Sequence, residues 1–409
     1  MAVNAEIKKD ILIPAVESPD AHEFCWAVNF AYTRTAGEDM VMTVVRRMSS
    51  GDDNWRQRES TNQRMLSCDN GATWNPHGPE ISGGSYERKN TTLAWMHFLD
   101  PSNGLLLSLH QTSRPHPGDG AWASALHYEI SRDGGRTWGP LRQIIHSESA
   151  YDEVHWMPGI TDNYQYIGVD QAPFVRPDDG TIVLGFTVHP AAPDYPRKQF
   201  YVGVVFLRGR WNEDQTDLSW EAGDIVQVSP DVSPIGACEP DLLHLGGQRL
   251  LTTLRVQGEE EPAGVFSSRH WSVSEDGGMT WSKPEMLCYE DGSMVCVPAS
   301  LSAFERDPHT GKAYWFANIL DHPVTKQTPR YPLTMAEVDT DRFCLIKDSV
   351  TIIQEFPRGA PANRSYTNFG HYVDRVTGEF VLTPAEAPKF NTRDFRADTV
   401  RYRIKVIPG

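Results

Sequence analysis

The chain has 409 residues, 39% hydrophobic and 10% aromatic, enough to bury a sizeable core within one repeat domain spanning residues 1–409. Its formal net charge of −16 argues against nucleic acid as a partner, since a phosphate-binding surface needs a basic excess. It does not preclude an anionic small ligand, because a few focused arginines can outvote the global sign inside a pocket. No apolar run reaches the roughly 18 residues of a membrane helix, so no membrane span is expected. The first ten residues lack the apolar stretch of a secretory leader, which suits a cytoplasmic protein or a trimmed one. The six cysteines (Cys25, Cys68, Cys238, Cys288, Cys296, Cys344) form no Cys-x-x-Cys pair, and no His/Cys spacing suggests zinc.

Taken along the chain, the predicted elements are all strands and turns. A first strand at 39–45 leads through Arg46 and Arg47 into a polar loop holding Asp52 and Asp53. The return meets Ser67-Cys68-Asp69-Asn70-Gly71-Ala72-Thr73-Trp74. A strand at 104–109 runs into a polar cluster containing His110, Arg114 and His116, and a second Ser-x-Asp-x-Gly-x-Thr-Trp follows at 131–138. After a long loop carrying Asp152, Glu153 and His155, the turn Asp178-Asp179-Gly180 opens a strand at 181–188. The apolar run at 201–207, with Arg210-Trp211-Asn212 behind it, reads as a degenerate hairpin. Next come Glu239-Pro240, a strand at 249–254 closed by Arg255, and the third copy of the motif at 274–281. Arg330 precedes an apolar strand that meets a polar turn at 336–341, Tyr366 follows a polar lead-in, and Thr377-Gly378 opens a last strand at 379–383.

Five of the eight motif positions are fixed in all three copies. Physically the motif is a hairpin connection: the aspartate caps backbone N–H groups just ahead of it, glycine supplies a left-handed conformation, and Thr-Trp starts the next strand. The first two copies lie 64 residues apart, and the next gap of 143 is two steps of about 71. Skipped copies therefore fall near 202–207 and 336–341. A repeat of about 68 residues divides the chain into six units, each long for a four-stranded blade and leaving room for extended loops.

These motifs resemble the Asp-boxes of the sialidase superfamily, and the resemblance implies an all-β, six-bladed β-propeller of four-stranded antiparallel blades. It also implies an exo-glycoside hydrolase that removes a terminal acidic sugar with retention and needs no metal or organic cofactor. In that family a tyrosine is the nucleophile and a glutamate draws off its proton; the resemblance places these roles on Tyr366 and Glu239. A neutral phenol escapes the repulsion that a carboxylate nucleophile would meet from an anionic sugar, and sialidases are the known tyrosine exception among retaining glycosidases. Asp52 or Asp53 would be the acid/base. Arg255 and Arg330 would grip the substrate carboxylate bidentately, with Arg342 a poorer alternative to Arg330 and with Arg46 or Arg47 as pocket arginines. No arginine stands near Phe24-Cys25-Trp26-Ala27-Val28, where the family's Arg-Ile-Pro should fall, and this departure puts sialic acid itself in doubt.

Plainer roles remain open: a solvated Glu239, a surface Arg255, a core Tyr366, solvated loop aspartates. Trp26, Trp55, Trp95, Trp122 and Trp156 are numerous enough to supply a sugar-stacking platform, although most propeller tryptophans pack the fold. A polysaccharide lyase or other uronate-cleaving enzyme could use His110, His155, Tyr366 and Arg255, and a non-catalytic glycan-binding propeller would keep the structural turns alone.

Overall fold

The computed structural model describes residues 3–15, 22–49, 59–84, 91–115, 122–159, 173–190, 201–260, 264–356, 366–386 and 397–407. Its strands form six antiparallel sheets, the blades of a six-bladed propeller. After β1 (Ala5–Ile13), blade one contains β2 (His22–Tyr32), β3 (Met40–Ser49), β4 (Glu59–Ser67) and β5 (Asn75–Gly84). Blade two contains β6 (Thr91–Leu99), β7 (Leu106–Pro115), β8 (Trp122–Ser131) and β9 (Arg142–Gln143). Blade three contains β10 (Phe174–Val175), β11 (Ile182–Val188), β12 (Gly203–Trp211) and β13 (Leu218–Ala222). Blade four contains β14 (Ala237–Gly246), β15 (Arg249–Val256), β16 (Ser268–Ser274) and β17 (Glu285–Met286). Blade five contains β18 (Ala303–Arg306), β19 (Ala313–Ala317), β20 (Leu333–Asp339) and β21 (Cys344–Leu345), with β22 (Thr351–Gln354) also pairing with β20. Blade six contains β23 (Thr367–Val373), β24 (Phe380–Ala385) and β25 (Thr399–Val406), and β1 adds its outer strand. The N-terminal strand thus pairs with the last strand of the chain and ties the two ends together in one blade.

The three repeated turns have one geometry. In the first, Thr73 donates both its N–H (2.8 Å) and its hydroxyl (2.6 Å) to the Asp69 carboxylate, and Gly71 N–H donates to Ser67 Oγ at 2.9 Å. Asp133 and Asp276 hold Thr137 and Thr280 in the same way. The glycine in the loop sits at φ +74°, +81° and +93° in the three copies, which favours a residue without Cβ. The skipped copies appear as plainer turns, the first later than its spacing placed it. Most of the expected hairpin at 201–207 lies in one continuous strand, β12, and Asn212 and Asp214 receive Thr216 N–H only beyond it. Asp339 receives Asp341 and Arg342 N–H between β20 and β21.

The bonds from Thr73 and Thr137 hold the carboxyls of Asp69 and Asp133 down at about 2. A depressed folded value means the turns keep this support above the ordinary carboxylate range and lose it only as pH falls toward 2. Carboxyl carbon shifts followed by NMR are expected to show both groups titrating well below the ordinary aspartate range, and normal titration would refute the capping role.

Apolar clusters fill the gaps between neighbouring blades. Examples are Leu184, Phe186, Tyr128 and Trp220 between blades two and three, Val204, Phe206, Leu250 and Leu254 between three and four, and Phe316, Phe380 and Tyr402 between five and six. Two further clusters fill the gaps between four and five and between six and one. Where the chain enters β14, Gly236 passes so close to blade three that a Cβ would lie 2.0 Å from the Val202 carbonyl oxygen, and its φ is +82°. Gly236→Ala is therefore expected to destabilise by about 1–3 kcal/mol in urea unfolding, since a left-handed φ and a backbone clash combine. An unchanged midpoint would contradict this.

Candidate active site

The inner strand of blade four carries a β-bulge: Cys238 pairs with Arg255 and Asp241 with Thr253, so one extra residue is accommodated. Glu239 takes a left-handed φ of +48°, and Pro240, which has no N–H to lose, sits beside it in the bulge. Blades one and six carry the same irregularity with Asn29 and Asn368 at φ +59° and +55°. Asparagine tolerates that region; glutamate adopts it at a cost, and such outliers gather at functional sites.

The bulge aims the Glu239 carboxylate at Arg255, whose Nη1 donates to Oε1 at 2.5 Å. Both side chains are largely enclosed, 17% and 10% exposed. The Glu239 N–H donates to Thr187 Oγ1 at 2.9 Å, and Arg269 Nη1 donates to the Glu239 carbonyl at 3.2 Å, so the strained backbone is held from two blades. Burial pushes the Glu239 carboxyl up, but Arg255, Arg330 and Arg269 together overcome this and hold it below the usual carboxylate range. It is ionised at neutral pH, and among the described residues its Oε2 receives no hydrogen bond.

Arg330 is buried; its Nε donates to Gln327 O at 3.0 Å and its Nη1 to Asn368 Oδ1 at 3.3 Å. Burial and the nearby Arg255 charge lower its pKa to about 10, against the opposing pull of Glu239, so it stays cationic. Tyr366 N–H donates to the Arg330 carbonyl at 2.9 Å, and Asn318 donates to the Tyr366 carbonyl at 3.1 Å. Tyr366 is fully buried, in an apolar cluster with Phe369, Phe380 and Tyr402. Glu239, Arg255 and Arg330 thus meet, with the Tyr366 backbone fastened to Arg330.

Arg46 is exposed on β3, and Arg47 continues that strand. Asp52 and Asp53 lie outside the described residues. His110 pairs with Glu129 at 2.9 Å between β7 and β8, and His155 is exposed, so the two histidines weighed for elimination chemistry lie in separate settings. Trp156 is 1% exposed and packs on Phe186, a core role.

One arginine escaped the sequence reading. Arg269 on β16 lies directly across from Arg255 on β15, and both are buried. Like charges directly opposite are unfavourable unless an anion lies between them, and Glu239 and Asp241 supply the compensating charge on Arg269. The signal was available only through strand register. Between blades four and five, buried Asp241 accepts hydrogen bonds from Thr253, Ser302 and Trp315. His371 meets Glu305 at 2.7 Å; burial lowers the imidazole's pKa, but the Glu305 bond and the Glu305 and Asp241 charges outweigh this and raise it.

No family model and no curated protein matches the chain. Solved structures do, at low identity. The Hadza microbial sialidase Hz136 matches with TM-score 0.55 and 12% identity over 93% of this chain and 66% of its own. A mutant Trypanosoma rangeli sialidase displaying trans-sialidase activity matches with TM-score 0.56 and 13% identity over 99% and 60%. The GH93 α-L-arabinofuranosidase of Fusarium graminearum, complexed with arabinobiose, matches with TM-score 0.56 and 11% identity over 97% of each chain. The chain therefore spans less than two thirds of these two sialidases but nearly all of the arabinofuranosidase. The shared feature is the six-bladed propeller, and these neighbours are glycoside hydrolases.

Proposed function

We propose that this propeller is a glycoside hydrolase that removes a terminal acidic sugar with retention. The observation that carries the reading is the convergence of Arg255, Arg269 and Arg330 on an ionised, strained Glu239, with Tyr366 fastened beside Arg330. In this reading Glu239 accepts the phenolic proton of Tyr366. The phenolate oxygen then bonds to the anomeric carbon while the glycosidic C–O bond breaks, and Asp52 or Asp53 protonates the departing oxygen. Water, deprotonated by the same aspartate, then cleaves the tyrosyl glycoside, and the proton returns to Tyr366 from Glu239. Arg255 and Arg330 hold the sugar carboxylate, assisted by Arg46 or Arg47 from blade one. Arg269, engaged with the Glu239 carbonyl, positions the glutamate.

The near-equal length shared with an arabinofuranosidase favours a second reading, a neutral pentoside as substrate; Arg255 and Arg330 argue against it. Incubation with sialosides, uronosides and arabinobiose, with products identified by mass, tests both. Release of a hydrated acidic monosaccharide supports the first reading, and release of arabinose replaces it with the second. An unsaturated product absorbing in the near ultraviolet would indicate a lyase, and absence of turnover would indicate a binding propeller.

A further inference from the structure

The gap between blades one and two differs from the other five. Among the described residues no apolar cluster is centred there, although Val45, Met96 and Leu109 belong to the cluster of the next gap; the buried residues facing it include Thr43 and Asn62 of blade one and His97, Ser108 and His110 of blade two. Arg64 crosses the gap: its Nη2 donates to Glu129, to Ser108 Oγ at 3.0 Å and toward His110 Nε2 at 3.3 Å, and its guanidinium lies over the Trp138 ring, 4.2 Å from the centroid. A cavity of about 200 Å³ opens against this group, lined by Thr43, Asn62, Arg64 and Trp138 and rimmed by Pro79 and Ile81. The β4–β5 pairing is interrupted between Asn62 and Arg64, which face Ile81 and His77, and this irregularity lies at the rim.

Several buried polar atoms here make no hydrogen bond among the described residues: both amide atoms of Asn62, Arg64 Nε, His97 Nδ1 and Trp138 Nε1. Asn62 is 2% exposed. Trp138 is informative because it belongs to the second repeated turn. The corresponding Trp74 and Trp281 each donate Nε1–H to their own turn's glycine carbonyl at 3.1 Å. Trp138 makes no such bond. Unsatisfied buried polar groups are costly, and such a concentration in one cavity calls for a partner.

We propose that this cavity is a second binding site, separate from Glu239 and its arginines, for a small carboxylate. Three of the unanswered groups, Arg64 Nε–H, Trp138 Nε1–H and the Asn62 amide, are donors, which suits a ligand rich in acceptors. Arg64 adds a charge only partly spent on Glu129, whose contacts lie on Nη2. Asn62 Oδ1 accepts from a hydroxyl beside the carboxylate or from water. The carboxylate can come from a free acid or from a uronate sugar.

Calorimetric titration of the full chain with sodium acetate, sodium glucuronate and glucose tests this. Acetate or glucuronate is expected to bind with millimolar affinity and glucose not at all; stronger glucuronate binding identifies a sugar acid, and equal or stronger acetate binding a free acid. Trp138→Phe, which removes one N–H at nearly constant shape, is expected to weaken carboxylate binding at least fivefold, and Asn62→Leu to abolish it. Carboxylate affinity retained in folded Trp138→Phe, binding of glucose alone, or no binding by the wild-type chain overturns the proposal and leaves a water-filled seam.

Discussion

Arg255→Ala is expected to lower the unfolding free energy by about 3 kcal/mol, the lower end for breaking a buried ion pair. The loss arises because Glu239 stays behind, enclosed and charged, without its 2.5 Å partner. Arg269 and Arg330 still lie near enough to lower its carboxyl, which keeps the effect from the top of that range. Adding Glu239→Gln to the Arg255→Ala chain removes the stranded charge and is expected to recover part of the loss. Denaturant unfolding of the two single variants and the double variant gives the coupling directly. Additive effects would show that the pair has no special standing. The pH dependence has a defined sign. Since the folded Glu239 carboxyl lies below its unfolded value of about 4.3, the pair contributes fully above that pH. Its contribution fades as pH falls through the lower, folded value, so the gap between wild type and variant is expected to narrow in acid.

The second large effect concerns turnover. With a substrate found by the product assay, Glu239→Gln is expected to reduce kcat about 10²–10⁴-fold, the usual range for a lost proton acceptor. Tyr366→Phe is expected to reduce it at least as much, because a phenyl ring has no oxygen to bond to the anomeric carbon. The two effects are expected to be far from additive, since a phenol without its base and a base without its phenol fail at the same step. Tyr366 lies in the apolar core between blades five and six, so removal of its hydroxyl leaves the packing volume nearly unchanged. A Tyr366→Phe enzyme retaining wild-type kcat would remove the tyrosine from the mechanism and leave Glu239 as the residue to pursue. A surviving Glu239→Gln enzyme would argue against the whole constellation.

The sequence by itself determined the repeat and hence the architecture. Each Ser-x-Asp-x-Gly-x-Thr-Trp turn is closed by bonds between residues within five positions of one another, so its geometry is written locally. Spacing then implied six blades, including two whose turns had lost the motif, and the six sheets agree. Strand periodicity located 181–188 and 249–254 nearly residue for residue as β11 and β15, because these strands carry buried apolar runs.

Tertiary structure decided what depends on register and on blade-to-blade contact. Arg269 joins the site because antiparallel pairing sets it opposite Arg255, a relation that no local pattern announces. The left-handed Glu239 exists because a bulge, a proline and bonds to Thr187 and Arg269 from neighbouring strands hold it there. The polar seam between blades one and two likewise brings Trp138 of the second repeated turn together with Asn62, Arg64 and His97, three residues unremarkable in sequence. In each case the energetics belong to groups distant in the chain, whose desolvation and charge compensation arise only once the ring has closed.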